Sequence, residues 1–261
     1  SLCSWWLMRI FLDRNVMSES VRIIPSSISQ TVEWGDNRVE VKIAGWKCKP
    51  KRQGDSAWRY SEICKLPTLA KLARTANFDL CISNETHFES FLARSDAVGT
   101  RGDIFAGVAI QKLEDAVDRS SFQQGNTDSV SSRQNVIEFC RLLRQCSWET
   151  FEREPSLCGH FSQFTLENLK SISRFHQIID SLPHERHWPD GLQLWSAEVH
   201  GAEYFVSLDK RFINQLRNTP KIDLPCLPVL PSKVIERFGG SNIEPMPVED
   251  SGFIDFGKMV D

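Results

Sequence analysis

The sequence predicts an α/β fold, a mainly parallel sheet covered on both faces by helices, and three observations predict it. Short apolar runs of strand length, at residues 9–12, 78–82, 203–208 and 224–230, alternate along the chain with segments whose apolar residues recur every three or four positions. Strands separated by helices pair in parallel, because a parallel neighbour needs a long crossover connection. Apolar residues make up 41% of the 261 positions and the net charge is only −3, so the chain can bury a core and is not a disordered polyelectrolyte.

The elements follow in order. Arg9-Ile10-Phe11-Leu12 reads as a buried strand that ends at Asp13-Arg14-Asn15. Residues 30–47 alternate in part around Gly35-Asp36-Asn37, which predicts a β-hairpin. Directly after it the charge turns locally positive: residues 42–59 hold six basic side chains against one acidic, Asp55, with Trp34, Trp46 and Trp58 nearby. Such an arm can lie along a phosphate backbone, and it can equally be a solvated loop. Residues 60–76 carry Ile63, Leu66, Leu69, Ala70, Leu72 and Ala73 at helical spacing. Phe78–Ile82 is a second strand, and Ser83 is placed to cap a helix bearing Glu85, Phe88, Glu89 and Leu92.

Residues 118–135 are polar and without periodicity, a surface or mobile loop in which no chemistry is visible. Val136–Trp148 is amphipathic, and Leu166, Leu169, Ile172, Phe175, Ile179 and Leu182 predict one long helix with Thr165 as its N-cap. Asp190–His200 reads as a helix stopped by Gly201, Glu203–Leu208 as a strand, and Asp209–Leu216 as a helix. The prolines of residues 224–230 place the last strand at a sheet edge, with Ser232 capping a helix over Lys233–Phe238. Residues 1–240 therefore form one domain, with additions at about 20–60 and 96–160, and 241–261 form an acidic tail.

Several function classes lack support. There is neither a Gly-x-Gly-x-x-Gly nor a Gly-x-x-x-x-Gly-Lys-Ser/Thr motif, which leaves dinucleotide binding and phosphate-loop NTP hydrolysis without a basis. The eight cysteines include no Cys-x-x-Cys and read as buried free thiols. Cys158, His160, His184 and His187 lack the paired spacing of a zinc module. The histidines His184 and His187 read as loop surface, with phosphate contact or proton transfer as the alternative. The apolar stretch from Leu2 to Leu12 is broken by Arg9 and lacks the flanks of a signal peptide, so a cytoplasmic chain without a membrane span is expected.

Chemistry concentrates in carboxylates. In an open parallel sheet, ligands bind beyond the carboxyl ends of the strands, and Asp13 and Asp209 each directly follow a strand. Glu89 lies on the helix leaving the second strand, and Asp190 opens the helix before the Asp209 strand. Each alone is explained as a helix cap or a solvated charge. Gathered at one sheet edge, the four would repel one another unless cations neutralised them, and Mg²⁺ or Mn²⁺ takes such oxygen ligands.

Four segments carry a family resemblance. Ile10-Phe-Leu-Asp13-Arg-Asn15-Val resembles the opening strand of PIN-domain nucleases, in which an aspartate, one variable residue and an asparagine end the strand. The run from Asp190 to Phe212, with Ser207-Leu-Asp209 after its strand, resembles the later half of that family, and Ile82-Ser83-Asn-Glu85-Thr-His-Phe-Glu89 is similar to the segment bearing its glutamate. Residues 224–238 are similar to its closing strand and helix. Ser207 stands where threonine is usual, and Arg14 brings a cation beside the acids.

The resemblance implies a three-layer α/β/α sandwich and Mg²⁺- or Mn²⁺-dependent endonucleolytic cleavage of RNA, rather than DNA, by metal-bound water. It assigns Asp13, Glu89, Asp190 and Asp209 as metal-binding and catalytic residues, with Asn15 and Ser207 ordering them and Glu85 as the alternative to Glu89. Arg14, Lys47, Lys49, Lys51 and Arg52 are the expected nucleic-acid contacts. Many members of the family are toxins held by an antitoxin, so an antitoxin or a second copy of the chain is the expected protein partner. The competing expectation is a catalytically inactive nucleic-acid-binding or scaffolding module of the same fold.

Overall fold

A computed structural model describes residues 8–35, 37–49, 57–75, 78–87, 102–122, 133–153, 159, 161–220, 222–239, 243–247 and 253–255. Its central element is β1 (Met8–Leu12), flanked on one side by β4 (Phe78–Ser83) and then β5 (Ile110–Leu113), and on the other by β6 (Tyr204–Val206) and then β7 (Leu227–Val229). Every pairing in this five-stranded sheet is parallel. The α/β class and the parallel sheet agree with the sequence reading.

Alternation along β1 sends Ile10 and Leu12 to one face and Phe11 to the other, which divides the core in two. The first cluster joins Ile10, Leu12, Leu80 and Val206 to Val16 and Met17 of α1 (Arg14–Ser20), Ile63 of α2 (Ala57–Ile63) and Leu66 and Leu69 of α3 (Leu66–Thr75). The second joins Phe11, Cys81 and Phe205 to Phe139 and Leu143 of α4 (Arg133–Gln145), Phe151 of α5 (Trp148–Arg153) and Leu169 of α6 (Gln163–Lys170). It continues through Phe175 of α7 (Ile172–Asp180), Trp195 of α8 (Trp188–Val199) and Phe212 of α9 (Lys210–Arg217). Burying each of these side chains is worth about 1.5–3 kcal/mol, so both faces hold the sheet. The arrangement is compatible with a three-layer sandwich.

Several expected elements differ, each for a local reason. The helix expected over 60–76 is two, α2 and α3, because Pro67 has no N–H to continue the first and suits the first turn of the second. The helix expected over 166–182 breaks at Ser171, whose hydroxyl bonds the Asn168 carbonyl; Ser162, not Thr165, is the N-cap, accepting the Thr165 N–H at 3.1 Å. Helix α8 begins at Trp188, so Asp190 sits inside its first turn rather than opening it. Helix α10 (Pro231–Arg237) starts on Pro231, with Ser232 inside it rather than capping it. Within the segment read as a featureless loop, residues 119–122 form a helical turn and α4 begins at Arg133. Residues 110–113, inside the stretch read as an addition, form an edge strand of the central sheet.

The expected hairpin is present and longer than its alternation shows: β2 (Ile23–Trp34) pairs antiparallel with β3 (Asn37–Cys48). Gly35 takes φ +60 at the turn, a conformation glycine adopts without penalty. Pairing puts Ile24, Ile28, Val32, Val39 and Val41 on one exposed face, while Trp46 is buried against Val21, Ile23 and Cys48. The tail read as loosely attached touches the body: Glu244 pairs with Lys71 and donates its N–H to Thr68 Oγ1, Met246 packs against the core, and β8 (Phe253–Asp255) adds to β3. Cys48, Cys81, Cys140 and Cys226 are buried free thiols, as expected, while Cys64 and Cys146 are free but only half-buried; Cys3 and Cys158 lie outside the described residues. Among the described residues no helix is long and apolar enough to cross a membrane.

Candidate functional site

The order of strands reverses at β1: the chain steps from β1 to β4 and β5 on one side, then returns to β6 and β7 on the other. Loops leaving neighbouring strands diverge at such a point and open a crevice beyond their carboxyl ends. Asp13 leaves β1 into that crevice and Ser207-Leu208-Asp209 leaves β6.

A hydrogen-bond network ties these two loops together. Asp13 is buried, and its Oδ2 accepts from Asn15 Nδ2 at 2.5 Å and from Ser207 Oγ at 2.6 Å. Asn15 Nδ2 also donates to Ser207 Oγ at 3.0 Å, while its Oδ1 accepts the Leu208 N–H at 2.8 Å. The Asp209 N–H donates to Ser207 Oγ at 3.0 Å. Asn15 and Ser207 thus hydrogen-bond the Asp13 carboxyl and the loop after β6, and the serine hydroxyl is what makes the bonds at position 207. Asp13 stands at the start of α1 but makes no capping bond, whereas Asp209 Oδ1 caps α9 through the N–H groups of Arg211 and Phe212.

Asp190 reaches the crevice from the first turn of α8. Gly191 lets that turn approach α7 closely, since a Cβ there would lie 3.2 Å from Ile178 and from Leu182. Arg133 Nη2 lies 3.2 and 3.1 Å from the two Asp190 oxygens and also donates to the Arg186 carbonyl at 2.7 Å. His187, one turn before Asp190, is only 5% exposed. Its Nδ1 is 3.7 Å from Oδ2 of Asp190 and 3.7 Å from Oδ2 of Asp209, and has no hydrogen-bond partner among the described residues. The loop-surface expectation therefore holds for exposed His184 and fails for His187, because Pro189 and the buried Trp188 turn the chain inward there.

Burial is the main cause that raises Asp13 from 3.8 to about 7, followed by the nearby charge of Asp190; hydrogen bonds from Ser207 and Asn15, then Arg133, oppose it. A carboxyl so held resists ionisation until a cation shares the crevice.

The other expected residues fall elsewhere. Glu85 does not join the cluster: Arg119 holds it through Nη2 at 2.7 Å and Nε at 3.3 Å, and its own N–H donates to Asp115 Oδ2 at 2.9 Å. Ser83 caps the helical residues 84–87 as expected, accepting the Thr86 N–H at 3.0 Å. Glu85 and Asp115 face Arg14 and Arg133 across a small cleft also lined by Gln193. Lys47 is exposed on β3, and Lys49 is held to the body by a 2.7 Å bond from Nζ to the Ser18 carbonyl. Glu89, Lys51, Arg52, Cys158 and His160 lie outside the described residues.

Sequence reasoning missed Arg133, Asp115 and the burial of His187. The His-x-x-Asp spacing ahead of a helix was the available signal for His187, as residues three apart share a helix face. Nothing local marks Arg133, which meets Asp190 across 57 positions.

The donor set suits a divalent cation. One ligand atom each from His187, Asp190 and Asp209 lies within 4.8 Å of the others, and a buried nitrogen without a hydrogen-bond partner among them is a costly arrangement unless something is to bind it. Comparisons with protein-family models, with curated proteins and with solved structures return no match, so this geometry stands by itself.

Proposed function

We propose that the chain is a PIN-like, divalent-metal-dependent endoribonuclease, a three-layer α/β/α domain with the β2–β3 hairpin as an inserted arm. The observation that carries this reading is the Asp13–Asn15–Ser207 network, which brings the ends of β1 and β6 together beside Asp190 and Asp209. Asp13, Asp190 and Asp209 would hold the ion, with Glu89, outside the described residues, as the fourth acid the sequence offers. A Mg²⁺ or Mn²⁺ ion bound there would supply Lewis acidity toward a phosphodiester and its attacking water.

The protein's own groups do the rest. Asn15 and Ser207 fix the Asp13 carboxylate, and the α9 cap fixes Asp209, so neither has to be ordered when substrate arrives. Arg14, beside the cleft, is placed to orient a phosphate. Trp34 at the hairpin tip is 80% exposed, and Lys47 lies exposed on the same ribbon; an aromatic platform with cations can follow a single-stranded backbone.

The test is cleavage of labelled single-stranded RNA with Mn²⁺, with Mg²⁺ and with chelator. Asp209→Asn keeps an oxygen for the α9 cap, so it should fold, bind RNA and lose at least about a hundredfold in cleavage rate. Equal cleavage by the variant would overturn the reading. One observation favours the second reading, a non-catalytic RNA-binding module: Arg133 already neutralises Asp190 in part. That reading predicts RNA binding with no cleavage under any metal condition.

A further inference from the structure

We infer that His187 is a metal ligand, giving the crevice a nitrogen donor that makes it prefer Mn²⁺ and later transition ions to Mg²⁺. The inference rests on the metal-dependent reading of the site and adds a ligand of a different chemical type. Three observations carry it. The imidazole is 95% buried, from the 5% exposure above, so it is not a surface group that drifts into the crevice. Nδ1 has no hydrogen-bond partner among the described residues, an expensive state for an enclosed nitrogen. It also sits 3.7 Å from one oxygen each of Asp190 and Asp209.

That spacing is too long for hydrogen bonds to either carboxylate. It is close to what a shared ion requires: two donors each about 2.1 Å from one cation lie about 3 Å apart at a right angle and about 3.4 Å apart at a tetrahedral one. Bringing the nitrogen and either oxygen onto one ion takes a shift of about 0.3 Å for the tetrahedral angle and about 0.7 Å for the right angle. The backbone holds the pieces in place, because His187 ends a 3-10 turn, Pro189 fixes the first turn of α8, and Asp190 lies one turn along on the same face.

Proton positions set the cost of this role. Arg186 Nε donates to His187 Nε2 at 3.2 Å, and an arginine does not give up its proton, so Nε2 is the bare nitrogen and Nδ1 carries the hydrogen that faces the two acids. An ion taken up at Nδ1 displaces that hydrogen. The ring stays neutral when Nε2 takes a proton in exchange, which breaks the contact to Arg186, an exposed side chain free to turn to solvent. Imidazole nitrogen suits Mn²⁺, Co²⁺ and Zn²⁺, whereas Mg²⁺ demands oxygen ligands, so the nitrogen supplies the selectivity.

The experiment is pulsed electron paramagnetic resonance of Mn²⁺ bound to the whole chain, with Mn²⁺ and Mg²⁺ affinities measured by calorimetry. The wild type should show nitrogen modulation of the Mn²⁺ echo. His187→Gln should lose that modulation and lower the ratio of Mn²⁺ to Mg²⁺ affinity about tenfold, while Asp209→Asn should weaken both ions and keep the modulation. Bound Mn²⁺ without nitrogen modulation, or modulation that persists in His187→Gln, overturns the inference and leaves the nuclease reading intact. Modulation without RNA cleavage supports the inference and removes the nuclease reading. Absence of any Mn²⁺ binding removes both. Should His187→Gln fail to fold, the wild-type spectrum alone still decides between an all-oxygen site and one with nitrogen.

Discussion

Two aspartates stand beyond the carboxyl ends of strands in the five-stranded sheet, Asp13 after the central β1 and Asp115 after the edge strand β5, and burial pushes both up to about 7. Their surroundings differ. Asp115 lies against Glu85, whose charge is taken up by Arg119, a guanidinium only 5% exposed and held in two places. Asp13 lies near the charge of Asp190, which is paired with an arginine that is 45% exposed and, with Asp209, faces a nitrogen without a hydrogen-bond partner among the described residues. In the first group Arg119 answers Glu85 and leaves one acid over, Asp115. In the second Arg133 answers Asp190 and leaves two over, Asp13 and Asp209, in a crevice, and that larger imbalance marks a site for a cation.

The comparison can be broken in several places. The largest effect is expected for Glu85→Gln, which removes the carboxylate opposite buried Arg119 and should cost about 3–5 kcal/mol in denaturant unfolding. Mn²⁺ affinity should be unchanged; a loss of affinity would show that the two groups act as one site.

Next is the pH dependence of stability at Asp115. Below about pH 4 folded and unfolded chains both hold its proton. Between about 4 and 7 only the folded state does, so this group makes stability fall as pH rises, levelling above about 7. The shift corresponds to at most about 4 kcal/mol, lowered by the residue's partial contact with water. Asp115→Asn should raise the thermal midpoint at pH 8 and flatten the profile between pH 5 and 7. An unaltered profile would mean that Asp115 is well solvated.

Smaller still, Arg133→Gln should tighten Mn²⁺ binding about two- to fivefold by freeing Asp190 from a half-exposed partner. Weaker binding would make Arg133 part of the site rather than a competitor. The least effect belongs to the arm: Lys47→Gln should lower RNA affinity modestly and reduce the salt slope by about one.

What was legible in the sequence was what depends on a few adjacent residues. Asp13, Asn15, Ser207 and Asp209 follow short apolar runs, and a strand end fixes where the next side chain stands, so their convergence followed from the order of elements. The parallel sheet followed from the same alternation. Strand β5 was hidden because only four residues form it and two of them, Gln111 and Lys112, are exposed at the sheet edge. Arg133 and Asp115 were hidden because their partners are distant in sequence. His187 had a readable spacing, but its burial depends on Trp188 and Pro189 entering the core, which helical periodicity does not encode. The two broken helices show the same limit, where Pro67 and Ser171 interrupt runs whose apolar spacing continues unbroken.

The bond between Asp13 and Ser207 spans 194 positions. A chain emerging from the ribosome therefore exposes Asp13 long before Asp190, Ser207 and Asp209 exist, and at ordinary synthesis rates the gap is roughly 10–40 seconds. Through that interval the nascent protein is tethered to the largest mass of RNA in the cell with only one wall of its crevice made. On the ribonuclease reading, strand order thus times the appearance of activity: a truncated product ending before residue 190 is harmless, and competence arrives only when β6 docks beside β1.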